Sequence, residues 1–152
     1  AKIMTTKDTK YPTYNEKALY GMRRLEEYLK DVLIGRTITD VTHEGDWGSP
    51  SIERLTLDNG YTIALESING CECCGGINSS LHFYAENLSN VVIRTVRGEY
   101  KDEGDEDNGD FTITFTGNRR RKTLCTGDEG KNGYGGYGYG WYVTSGFDTG
   151  DE

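Results

Sequence analysis

A chain of 152 residues, only 34% of them apolar, has the length of one domain with a thin core. Its 25 acidic residues against 17 lysines and arginines leave a formal net charge of −8. That balance repels a nucleic-acid backbone and suits a protein partner with a basic surface. No stretch approaches the roughly 20 apolar residues of a membrane span, and residues 1–7 lack the apolar centre of a signal peptide. The expectation is therefore no membrane, no nucleic acid, and a place in the cytoplasm of the cell that makes the protein. With 21 glycines, 2 prolines and 11 tyrosines, the composition favours short strands joined by glycine turns over a helical bundle.

Residues 1–12 read as a polar, irregular segment. Thr13-Tyr14-Asn15-Glu16 has the spacing of a capping box, and Leu19, Met22, Leu25, Leu29, Val32 and Leu33 follow at steps that draw one apolar stripe. With Gly35 as the stop, the pattern predicts a helix over residues 13–34. From Arg36 the period falls to two. Strands are expected at Arg36–Val41, Glu53–Leu57, Tyr61–Leu65, Leu81–Ala85, Val91–Val96, Phe111–Phe115, Arg121–Cys125 and Gly140–Thr144. Asp58-Asn59-Gly60 is a hairpin signal, with positive φ expected at Asn-Gly, and Gly117-Asn118 marks a second turn. No repeat or linker divides residues 13–152. The fold class is α+β: one N-terminal helix followed by a mainly antiparallel sheet over about 36–148, in a single domain.

Four segments carry residue types with chemical potential. In Cys71-Glu72-Cys73-Cys74, Cys71 and Cys74 have the gap of a zinc knuckle. A structural zinc would take Cys71, Cys74, Cys125 and one of Cys73, His43 or His82; without a second spaced pair, free thiols filling a turn are the stronger reading, and no cofactor is expected. A redox thiol wants a helix N-terminus after the cysteines, which Gly75–Ser80 does not offer. The second segment, 102–110, holds six acids in nine residues but fits no calcium-loop frame. It reads as a solvated loop or a contact for a basic partner, with Asp105 and Asp107 at its centre.

Arg119-Arg120-Arg121-Lys122 is a run of four cations that straddles a strand start, so its side chains should divide between two faces. Balance against the nearby acidic loop is its expected role. The fourth segment, 133–142, interleaves tyrosines with glycines. Tyr134, Tyr137, Tyr139 and Trp141 offer large contact area at low entropic cost, and are the expected partner-binding residues alongside Asp105 and Asp107. No Gly-x-Ser-x-Gly, phosphate loop or His-Glu-x-x-His occurs, so no catalytic residue is assigned and an enzyme is not the expectation.

Leu33–Val41, the hairpin Leu55–Tyr61, Glu72-Cys73-Cys74 and the Tyr/Gly-rich stretch Tyr137–Val143 stand in an order that resembles an uncharacterised domain family widespread in bacteriophage genomes. That family is marked by an acidic residue followed by two cysteines. The resemblance covers about residues 33–148. Its members often carry a histidine shortly before the cysteine pair; Glu66-Ser67-Ile68-Asn69 has none, and Cys71 is additional, so a metal site built on that histidine would need another ligand set here. The resemblance implies a phage origin and a small accessory protein in the infected bacterium, and brings no known activity. Three functions follow in order: binding to a host or host-defence protein; a virion component such as a decoration or minor tail protein; and a small zinc or thiol-redox protein using the Cys71–Cys74 loop.

Overall fold

The computed structural model describes residues 10–45, 51–68, 79–101, 109–118, 120–130 and 140–147. They hold nine strands: β1 (Tyr14–Tyr20), β2 (Ile38–Glu44), β3 (Ile52–Leu57), β4 (Tyr61–Ser67), β5 (Ser80–Phe83), β6 (Thr95–Tyr100), β7 (Asp110–Thr116), β8 (Arg121–Asp128) and β9 (Gly140–Phe147). One α-helix, α1 (Met22–Leu33), follows β1, and a short 3₁₀ turn spans Ala85–Asn87. The strands form two sheets, ordered β1-β9-β4-β3-β2 and β5-β8-β7-β6. Every strand pairing in them is antiparallel. The expected α+β class holds, with the β part resolved into two sheets rather than one.

The helix expected over 13–34 begins nine residues late. Tyr14–Tyr20 is an edge strand paired with β9, in which Leu19 lies opposite Trp141. Leu19 and Met22 both point into the core, so the apolar stripe runs unbroken across a change of structure. Pairing with a central strand outweighs the helical bias of residues 14–20, as tertiary context commonly does. Gly21, at φ 94°, makes the break in a conformation other residues adopt only at a cost. Thr13 therefore caps nothing. The Met22 N–H instead donates to Glu129 Oε1 at 2.9 Å, from 107 residues away. Gly35 follows the helix as expected.

Two further expectations shift. The Asp58-Asn59-Gly60 hairpin forms, but among the described residues only Gly60 of this loop has positive φ. Its N–H returns to Leu57 O at 3.0 Å, and Asn59 Oδ1 accepts from the Tyr61 N–H at 3.1 Å. The loop is thus the three-residue kind that ends in a left-handed glycine. Val91–Arg94 is not a strand. It crosses between the sheets, bridging Thr37 through Val92 and exchanging backbone bonds with Gly35 and Arg36 through Ile93, and the strand starts at Thr95.

The two sheets face each other across a single apolar core. Strand alternation is strict where it matters: Tyr61, Ile63, Leu65 and Ser67 are buried on β4, and Phe111, Ile113 and Phe115 on β7. Opposite Ile113 the register slips, so that Leu124 and Cys125 both turn inward with no exposure. Helix α1 packs on β1 and β6 and closes one side. There the Tyr28 and Tyr61 hydroxyls meet at 2.8 Å, and burial pushes both phenols above their usual range.

Candidate functional site

Of the expected site residues, Tyr134, Tyr137, Tyr139, Asp105, Asp107, Cys71, Cys73 and Cys74 lie outside the described residues. Trp141 is described, and it is not a surface residue. It is fully buried, its ring standing edge-on to Phe111 at 5.5 Å and 89°. The strand period explains this: Trp141 shares its face of β9 with Val143 and Ser145, both buried. A ring committed to the core presents nothing to a partner.

Cys125 is also fully buried, between Phe83 on β5 and Ile113 on β7. Burial pushes its thiol well above the ordinary range, and the Glu53 charge adds to the shift. Metal binding needs the thiolate. His82, the neighbour of Phe83 on β5, points the other way, to the exposed face, where its ring meets Tyr84 at 4.9 Å. Cys125 and His82 thus lie on opposite sides of one sheet. Among the described residues no group of three or more His, Cys, Asp or Glu is placed to hold a metal ion. Iodoacetamide labelling mapped by mass spectrometry is expected to leave Cys125 unmodified in the native protein and to modify it in urea. Labelling of the native protein at the rate of a free thiol would contradict the buried placement.

The charged residue that the structure brings to the centre is Glu53, which is 1% exposed. Its Oε1 accepts the Phe83 N–H at 2.9 Å, from the facing sheet, and its Oε2 meets His43 Nδ1 on the neighbouring strand β2. A buried carboxylate is tolerated only when so paired. The group therefore ties β2 and β3 of one sheet to β5 of the other. Glu53 was not singled out in the sequence, although it shares strand parity with the buried Leu55 and Leu57; that parity was the available signal.

A second buried acid, Glu129, holds the helix start. Both the Met22 N–H and the Tyr100 hydroxyl donate to its Oε1 at 2.9 Å. Burial, helped by this bond, pushes the Tyr100 phenol up to about 12. Beside it, burial and the neighbouring Asp110 raise the Asp128 carboxyl. On the helix, Glu26 is buried, which acts to raise its pKa. The Gly98 N–H, Arg23 and Lys30 outweigh that and hold the carboxyl below its usual value.

Open grooves mark the surface of the described residues. One, of about 590 Å³, crosses the outer face of the five-stranded sheet, over Thr42, Arg54, Thr62, Ala64, Thr144 and Phe147. Another, of about 610 Å³, runs between α1 and the β6 edge, with Arg23, Lys30, Arg97 and Arg121 beside Glu26 and Glu99. A third, of about 420 Å³, lies at the β7–β8 turn on Val91, Phe115 and Gly117, rimmed by Asn118, Arg120 and Lys122. The cationic run thus divides as the strand period requires, with Arg121 on one face and Arg120 and Lys122 on the other. Comparison with protein-family models, curated proteins and solved structures finds no match.

Proposed function

We propose that the chain is a protein-binding accessory protein of a bacteriophage, acting on a host or host-defence protein. The observation that supports this best is the outer face of β3, β4 and β9. Around Arg54 it is built from short side chains: Thr56, Thr62, Ala64, Thr144 and Gly146. Thr62 donates to Gly146 O at 3.1 Å and Thr144 to Asn15 O at 2.9 Å, so the hydroxyls are already fixed. Docking on such a face freezes few rotamers, which is the main entropic cost a binding surface can avoid. The target class rests on the resemblance to a phage-encoded family.

Affinity capture from lysate of the infected bacterium, with quantitative mass spectrometry, tests this reading. The wild-type chain is expected to retain a stoichiometric partner. Ala64→Arg, which sets a long cation in the middle of the face, is expected to lose it while keeping the wild-type melting temperature. Absence of any stoichiometric partner, or retention by the variant, would defeat the assignment. Recovery of the chain in purified particles at fixed copy number would favour a virion component instead.

A further inference from the structure

The described cations of the β7–β8 turn form no ion pair with another described residue. Seven ion pairs join described residues, and none uses Arg120, Arg121 or Lys122. Arg121 Nη1 donates to Thr114 Oγ1 at 2.9 Å, a neutral acceptor. Internal charge balance, the role expected from sequence, is therefore not what this run does among the described residues. In a chain with 25 acids, cations gathered at one turn are a local reversal of the overall charge.

Arg120 and Lys122 also stand on the rim of a groove whose floor is apolar. Val91 and Phe115 line it, Gly117 lets Val91 lie where a Cβ would collide with it, and no carboxylate lines it among the described residues. Val92, 43% exposed, continues the apolar surface along the crossing segment. An apolar floor with a cationic rim recognises a ligand that is apolar at one point and anionic around it. The molecule as a whole, at −8, repels an extended polyanion, which disfavours nucleic acid and favours a short acidic stretch of protein.

We propose that this groove docks an acidic segment of a partner protein, with one aliphatic or aromatic side chain on Val91 and Phe115 and flanking carboxylates on Arg120 and Lys122. The proposal rests on the protein-binding reading above and specifies a second contact surface and its chemistry. Partner carboxylates would give the salt dependence of a screened, rim-type interaction.

A display library of short random peptides, selected against the wild-type chain, tests it. Enriched peptides are expected to carry carboxylates around a single apolar residue. The double variant R120E/K122E, at two exposed positions and with an unchanged melting temperature, is expected to bind them about tenfold more weakly or worse. Peptides without acidic bias, or peptides bound equally by the double variant, would overturn the proposal. If those same peptides were lost on Ala64→Arg, the protein-binding reading would survive that failure. A selection that yields no binder defeats both, and displacement of the peptides by an oligonucleotide of matched charge would overturn the choice of a protein ligand.

Discussion

Replacing Trp141 by alanine is expected to destabilise the fold by about 3–5 kcal/mol, the usual cost of removing a large aromatic from a core. Three observations place it at the high end of substitutions in this chain. The ring has no exposure and meets Phe111 edge-to-face, an arrangement that adds to area burial. It sits on β9, the strand that pairs with both β1 and β4. It also lies opposite Leu19, whose burial holds the edge strand down. Loss of the ring therefore loosens β1 together with the core. Trp141→Phe is expected to cost much less. It keeps most of the apolar area and removes an indole N–H that is buried with no acceptor among the described residues. Urea unfolding monitored by circular dichroism measures both. Equal losses for the two variants would show that the indole nitrogen, not the ring area, carries the stability.

The fold was largely legible where a single strand period decides the outcome. Tyr61–Ser67 and Asp110–Thr116 alternate strictly, and the structure buries the residues that alternation selects. Legibility failed where the deciding partner is remote. Tyr14–Tyr20 fits a helix locally, and nothing near it announces that β9, more than a hundred residues on, will claim it as a strand. The helix cap failed for the same reason, since Glu129 is not a neighbour in sequence. Trp141 shows a different failure. Glycines and tyrosines around it suggest a display surface, but its parity with Val143 places it inside, and parity outweighs composition. The cationic run was half legible. Its division between two faces follows from the strand period, whereas which described residues its cations meet depends on the tertiary fold. Strand parity with Leu55 and Leu57 points Glu53 inward, but no sequence rule names the facing sheet, so its contact with Phe83 was not legible.

Glu53→Ala is expected to cost about 2–4 kcal/mol, combining an unpaired buried N–H with a small cavity. The Phe83 N–H loses its acceptor between the sheets, where water has little access. His43 loses this contact too, but its side chain is 48% exposed and can be solvated, which keeps the penalty below that of a fully buried pair. Glu53→Gln should cost less than alanine. An amide oxygen can still accept from Phe83, and only the charge facing His43 is lost. His43→Ala tests the other side, because it leaves the buried carboxylate with one neutral donor from Phe83. If the two side chains act as a unit, the double variant H43A/E53Q is less destabilised than the sum of the singles, by an interaction of about 0.5–3 kcal/mol. Chemical denaturation of the four proteins closes this cycle. Strict additivity would mean that Glu53 is held by Phe83 alone, and that His43 contributes no more than its place on an edge strand.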